Sequence, residues 1–435
     1  MHAPFGPGGP RIEDYAFLGD MRSAALVGRD GSVDWLCLPR FDSPAVFTSL
    51  LGTEEHGFWR IGPVHTETPP AATRRTYRRD TLVLESEWHT LLGGVRVTDF
   101  MPPHSPTPQL LRTVTGLSGQ VPMWSVLRPR PGYGALADPD FREEGDRTVA
   151  ATGEGSLWID APPPSELHDA TLHTAFTIEA GQEITFAITW APDGSGEPAL
   201  PQPAPSLEAT AGFWREWAAR STYEGPYRDA VVRSLITLKA LTYAPTGAIV
   251  AAPTTSLPEE IGGMRNWDYR YTWLRDAALT VASLVQCGHL EEARDWRGWL
   301  LRATGGDPGD LRIMYGIGGE RDLTERVLDW LPGYENSTPV RTGNGAAGQL
   351  QLDVYGEVVH ALDLARAHGL DDDPAATALW LRLVGELEQR WTEPDEGIWE
   401  VRGPRRHFVH SKVMAWVAVD RTIKLIESGD AEGPL

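Results

Sequence analysis

The apolar pattern of this chain changes its period once, close to residue 200, and few architectures accommodate such a change. Between residues 11 and 190 the apolar positions fall in short, partly alternating runs. They read Thr-Leu-Val-Leu-Glu-Ser-Glu-Trp at 81–88, Gly-Val-Arg-Val-Thr-Asp-Phe at 94–100, Ser-Leu-Trp-Ile-Asp at 156–160 and Thr-Phe-Ala-Ile-Thr-Trp at 185–190. β-Branched and aromatic residues dominate these runs, and Gly, Pro and Asp punctuate them, the pattern of a β-sandwich. A Pro/Gly-rich stretch at 191–205 marks a boundary. Beyond it the spacing is helical, with Val231, Val232, Leu235, Ile236 and Leu238 on one face of a helix over 227–243. Further helices are expected at 207–219, 276–285, 290–302, 349–368, 374–391 and 411–428. The long loops between them are rich in Gly, Pro and charge, and such loops inside a compact domain usually serve function. The expected fold is multidomain, β followed by α: a sandwich over 1–205, a linking helix within 206–225 and a helical domain over 226–435.

Charge and cysteine content remove several function classes. With 435 residues the chain can bury a large core, and its net charge of −21 comes without a basic stripe. Neither nucleic acid nor an anionic membrane suits that balance, whereas a small neutral ligand does. Cys37 and Cys287 lie far apart, in different expected domains, and make neither a disulfide framework nor a metal cluster. No apolar run is long enough to span a bilayer, and the Gly/Pro-rich beginning lacks the basic and apolar segments of a secretion signal. A cytoplasmic location is expected. The 17 Trp are a surplus that points to ligand surfaces or to a large helical core.

Two segments carry chemistry. At 266–276 the chain reads Asn-Trp-Asp-Tyr-Arg-Tyr-Thr-Trp-Leu-Arg-Asp, with two each of Trp, Tyr, Arg and Asp. Buried charges and hydroxyls are costly unless each is partnered, so a folding core has little use for this mixture. A sugar pocket does: aromatic faces suit the apolar face of a pyranose, and carboxylates and guanidinium groups hold its hydroxyls. At 393–402 the chain reads Glu-Pro-Asp-Glu-Gly-Ile-Trp-Glu-Val-Arg, placing Glu400 directly after Trp399 between two expected helices. Packing against an indole can desolvate a carboxyl group and keep it protonated near neutral pH, as the acid of glycosidic cleavage must be.

Tyr-Arg-Tyr-Thr-Trp-Leu-Arg-Asp at 269–276 and Ile-Trp-Glu at 398–400 resemble the two signature loops of glycoside hydrolase family 15, the glucoamylases and bacterial trehalases. Ile-Glu-Asp-Tyr-Ala at 12–16 and Asp-Gly-Ser-Val-Asp-Trp-Leu-Cys-Leu-Pro-Arg-Phe-Asp-Ser-Pro at 30–44 resemble the sandwich domain of the trehalase-like branch. The resemblance covers essentially the whole chain. It implies a supersandwich-like β domain followed by an α/α toroid, and inverting hydrolysis of a terminal α-glucosyl unit without a cofactor. By position it makes Glu400 the general acid. Arg275 and Asp276 become the pair on the hydroxyls of the terminal glucose, Tyr269 and Trp273 line that subsite, and Trp267, Asp268 and Trp399 are its neighbours. Fungal members carry a second acidic residue after the acid, where this chain has Val401, so contacts beyond the first sugar differ. α,α-Trehalose is the expected substrate, with maltose or starch ends as the alternative, and a phosphorolytic relative is a further alternative.

Gly-Asn-Gly-Ala-Ala-Gly at 343–348 satisfies the dinucleotide-binding spacing, but no buried strand precedes it and the chain runs from helix to helix. The glycines are expected instead to let a loop run close to the ligand, with Asn344, Gln351 and Asp353 as pocket candidates. His407 and His410 stand beside Arg405 and Arg406 without an acidic neighbour, so no metal site is expected.

An inverting glycosidase needs a second carboxylate to activate water. The resemblance places that base in a later acidic loop, and no such segment is found here. Helices begin roughly every thirty-five residues, so about half of a twelve-helix toroid fits. Gly433-Pro434-Leu435 follows a helix stop with a residue suited to starting another, so the chain is expected to be a C-terminally truncated member. On that expectation it is a hydrolase active only when the missing half is supplied, or a glucoside-binding protein without activity. The faces of its last helix, with Val413, Trp416, Val417, Ile423 and Leu425, would be uncovered and prone to association. Its oligomeric state is not legible.

Overall fold

The structure, a computed structural model, describes residues 10–135, 138–305 and 311–432, which leaves the Gly433-Pro434-Leu435 ending outside the described residues. Contacts divide the chain into two compact units. The first runs to Ala219 and adds Ser256–Trp267 and Val327–Val340; the second comprises Arg220–Thr255, Asp268–Arg326 and the chain from Arg341 on.

The first unit is antiparallel β-structure organised by one long strand, Gln109–Arg128. Its first half pairs with Glu183–Pro192 on one edge and Gly93–Phe100 on the other. Its second half pairs with Thr171–Glu179 and Phe58–Pro63. One strand therefore serves two sets of strands, and side chains from both sets fill one core. Trp59, Ile61, Met123 and Leu127 come from one set, and Val95, Val97, Val114, Leu157 and Ile188 from the other. Four strands fall where the alternation placed them, as Leu84–Thr90, Gly93–Phe100, Gly155–Asp160 and Glu183–Pro192. The organising strand has no clean alternation because Gly116, Gly119 and Pro122 interrupt it.

The two N-terminal fragments that carry the resemblance meet in this unit. The Tyr15 hydroxyl donates to Asp34 Oδ2 at 2.7 Å, and Asp34 Oδ1 also accepts from Ser49 Oγ at 2.8 Å. Asp30 takes Arg60 at 2.9 Å. A buried carboxylate needs such partners, so these motif residues hold the sheet together. Below them Arg112 is fully buried, with Asp99 at 2.8 Å and the carbonyls of Trp59 and Gly31 each at 2.7 Å. Helix α1 (Pro203–Ala218) begins with a proline at its first position and packs Ala211 against Val83, Phe100, Leu111 and Ala187.

The second unit is helical: α2 (Arg228–Ala240), α3 (Leu274–Gln286), α4 (Leu290–Ala303), α5 (Asp353–Ala367), α6 (Pro374–Arg390) and α7 (Val409–Glu427). Successive helices alternate between two rows. α3, α5 and α7 pack side by side, while α2 lies on α3 and α4 packs on α6. Ten residues of α5 are buried, from Asp353 to Ala365, because it is flanked on both sides. At Gly356 a Cβ would stand 2.1 Å from the Met414 carbonyl oxygen of α7, so only glycine allows these two helices to lie this close. Between α6 and α7, Trp380 Nε1 donates to Thr422 Oγ1 at 2.8 Å.

Most of the tryptophan surplus is core: Trp35, Trp59, Trp88, Trp214, Trp273, Trp296 and Trp299 are fully buried. On α7, Val413, Trp416 and Ile423 are exposed, but Val417 is half-buried and Leu425 is buried, against the expectation that all five would be uncovered. Cys37 and Cys287 are both free thiols. Among the described residues no helix is long and apolar enough to cross a membrane.

Candidate active site

The row α3–α5–α7 brings three helix N-termini to one place. Arg275 in the first turn of α3 reaches Gln351 Oε1, just before α5, at 3.5 Å. Asp353, which opens α5, stands 3.7 Å from His410 in the first turn of α7. N-terminal turns present unpaired N–H groups and a positive end of the helix dipole, and they favour acidic and hydroxyl-rich neighbours.

The 269–276 segment is clamped by backbone pairing. Tyr271 and Tyr269 accept from Ala251 and Ala252 N–H at 3.0 and 2.9 Å. Thr272 and Trp273 pair with Tyr315 and Met314. The 393–408 loop is tied to the start of α5: Asp395 Oδ2 accepts from Leu352 N–H at 2.9 Å and Glu396 Oε2 from Leu350 N–H at 2.8 Å. These ties bring Trp273 and Glu400, far apart in sequence, into contact. Trp273 Nε1 donates to Glu400 Oε1 at 2.6 Å, and Arg275 Nη2 lies 3.9 Å from the same oxygen. Arg275 also donates to the Ile398 carbonyl at 3.2 Å and to Asp276 Oδ2 at 3.1 Å. Tyr269 and Trp273 form an aromatic pair with ring centres 5.5 Å apart.

Glu400 sits at φ +53°, a left-handed conformation that is uncommon for a residue with a side chain and clusters at functional positions. Burial pushes its carboxyl pKa up. The Trp273 hydrogen bond and Arg275 pull it down, and Asp276 pushes it up. The indole that meets Glu400 is thus Trp273, acting as a donor, whereas Trp399 is 74% exposed. Sequence adjacency pointed to Trp399, whereas the ring that meets Glu400 comes from a segment 127 residues away.

Glu400, Trp273, Arg275, Asp276 and Tyr269 are gathered together. Asp268 is fully buried and spent on Arg270, bound at 2.7 and 2.9 Å, and on the Gly343 N–H at 3.2 Å. It anchors the loop behind the site. Trp267 belongs to the first unit, where the Arg265 guanidinium lies 5.8 Å from its ring centre. The glycine loop makes its close approach to protein backbone: a Cβ on Gly343 would lie 2.1 Å from the Thr324 carbonyl oxygen. Asn344 accepts from Ala346 N–H at 2.9 Å as a cap. His410, read as lacking acidic neighbours, has two, Asp353 at 3.7 Å and Glu357 at 3.6 Å. Helix packing supplies them from α5, which sequence spacing around His410 could not indicate.

Glu400, the Arg275–Asp276 pair and the Tyr269–Trp273 rings thus meet beside the N-termini of one row in a double row of helices. The description "Glycosyl hydrolases family 15" matches residues 225–435, and "Trehalase-like, N-terminal" matches residues 4–158. The trehalase of Mycolicibacterium smegmatis is 37% identical over 96% of this chain and 66% of its own length. That of Mycobacterium tuberculosis is 36% identical over 96% and 65%. The trehalase of Thermoplasma volcanium is 34% identical over 98% and 69%. The chain therefore spans about two thirds of the length of these curated relatives. A crystal structure of bacterial glucoamylase complexed with acarbose shares the fold with a TM-score of 0.53 at 11% identity, covering 89% of this chain and 67% of that one. The chain belongs to glycoside hydrolase family 15.

Proposed function

We propose that the protein hydrolyses α,α-trehalose to glucose with inversion, Glu400 serving as the general acid. The observation that carries this reading is the half-buried Glu400 carboxyl, pushed up in pKa by desolvation and held by Trp273 beside the Arg275–Asp276 pair. A carboxyl group whose pKa is raised holds its proton to higher pH and can deliver it to the glycosidic oxygen as the bond breaks. Arg275 and Asp276 take hydroxyls of the terminal glucose and Tyr269 lies against the ring, while Trp273, fully buried, holds Glu400 rather than lining the subsite as expected. Asp268 positions the loop that carries them. A second carboxylate on the opposite face activates water.

Trehalose is favoured over maltose by the trehalase-like N-terminal match and by three trehalases among the relatives. The two free cysteines suit a reducing compartment, and a cytoplasmic location is inferred. The test compares kcat/KM of the complete gene product on trehalose, maltose and isomaltose, with the released anomers followed by NMR. Trehalose should be preferred, releasing α- and β-glucose in equal initial amounts, one from each half. A clear preference for maltose would overturn the substrate assignment, and release of α-glucose alone would overturn inversion.

A further inference from the structure

The first turns of α5 and α7 hold three side chains that the acid chemistry of Glu400 does not use. Asp353 and Glu357 lie one turn apart on the same face of α5. His410 of α7 faces both, its Nε2 3.7 Å from Asp353 Oδ2 and 3.6 Å from Glu357 Oε1. All three ligand atoms lie within 4.8 Å of one another. Neither approach of the imidazole is close enough for a hydrogen bond.

Asp353 is fully buried, yet neither of its carboxylate oxygens has a hydrogen-bond partner on another residue, and His410 Nε2 also has none. A buried carboxylate left in this state is costly, and proteins resolve the cost with a proton, a cationic partner or a metal. The charged groups around the pair leave it short of positive charge. Arg275 faces both carboxylates, but its hydrogen bonds go to Gln351, Ile398 and Asp276, and Asp395 and Asp276 add further negative charge.

We propose that Asp353, Glu357 and His410 bind one divalent first-row transition-metal ion, of the Mn²⁺ or Zn²⁺ class. Metal–ligand bonds of about 2.0–2.2 Å set neighbouring ligand atoms roughly 3.0–3.5 Å apart and opposite ones about 4.2 Å apart. The two His410 separations, 3.7 and 3.6 Å, exceed the adjacent-ligand spacing by a few tenths of an ångström, and all three ligand atoms lie within 4.8 Å, so side-chain rotation alone can close the set around one ion. Two carboxylates and one imidazole suit a borderline ion better than Ca²⁺, which takes six to eight oxygens. The remaining coordination positions would be taken by water or by a hydroxyl of a bound ligand. Arg275 adjoins both this cluster and Glu400, but metal binding is read without activity, so its failure and that of the Glu400 assignment are distinguishable.

The test is a titration of the metal-stripped 435-residue chain with Mn²⁺, followed by EPR of the free ion and pulsed EPR of the bound one. One saturable ion per chain is expected, with an imidazole nitrogen coupling. His410→Gln should abolish that coupling and weaken binding by at least about tenfold, as should Asp353→Asn. Circular dichroism reports whether each variant folds. If Asp353→Asn does not, His410→Gln, at a partly exposed position, carries the test alone. Three results would overturn the proposal: no saturable site below about 1 mM for Mn²⁺ or Zn²⁺, a bound ion without nitrogen coupling, or binding unchanged by His410→Gln. The last two would put the ion on the acidic surface.

Discussion

Replacing Gly356 by alanine tests the packing that assembles the site. The added Cβ would lie 2.1 Å from the Met414 carbonyl oxygen, 2.6 Å from its carbonyl carbon and 2.9 Å from its Cβ. Non-bonded atoms prefer separations near 3.5 Å, so α5 and α7 would have to part by about 1 Å or more. The obstacle is helix backbone and cannot rotate aside. Overpacking of this kind costs typically about 1–3 kcal/mol, and a backbone clash this short belongs at or above the upper end. Gly→Ala inside a helix returns about 1 kcal/mol through propensity. The net loss is about 2 kcal/mol or more, a fall in Tm of roughly 4–8 °C for a unit of this size. Gly385 in α6 is the control, because a Cβ there meets nothing within 4 Å. Gly385→Ala should gain up to about 1 kcal/mol, a rise of a few degrees. Differential scanning calorimetry of the two variants would decide. A Gly356→Ala chain as stable as the parent would mean that α5 and α7 do not cross at this distance.

Two further predictions concern ionisation. In Trp273→Phe the carboxylate of Glu400 loses the hydrogen bond that favours its charged form, so the Glu400 titration should move to higher pH in isotope-edited NMR. An unchanged or lower midpoint would mean that the indole does not govern Glu400. Burial pushes the Asp20 carboxyl up to about 6 although Arg22 and Ser23 N–H groups donate to it. Its proton is thus held more tightly by the folded chain, so stability falls as pH rises from about 4 to about 6, by up to about 3 kcal/mol, and is level outside that window. Asp20→Asn keeps an oxygen for both N–H groups and should raise Tm at pH 7 but not at pH 4. An equal effect at both pH values would contradict the assignment.

The helices were legible because each buries a continuous apolar stripe. α6 begins at Pro374 behind an Asp373 cap that accepts from Ala375 N–H at 2.9 Å, and both are local signals. The start of α5 was not: residues 349–352, expected within the helix, precede it, and the Leu350 and Leu352 N–H groups donate instead to Glu396 and Asp395 of a distant loop. The strand Gln109–Arg128 escaped because its residues face two different sets of strands, so no single alternation describes it. For the site, residue types marked both loops. Which aromatic ring touches Glu400, and which acids face His410, depended on loop ties and helix packing between distant segments. Asp268 read as a ligand group by the company it keeps, yet its partner is Arg270, two residues on, at 2.7 Å.

The most direct measurement of the central claim is the activity of Glu400→Gln in the complete gene product, on trehalose and on α-glucosyl fluoride. Acid assistance is worth typically about 10²–10⁴ in rate, so kcat on trehalose should fall by at least that factor while KM changes little. Fluoride leaves with little need for a proton, so turnover of α-glucosyl fluoride should be largely retained. Parent-like activity on trehalose and on maltose would contradict the account and remove Glu400 from the role of acid.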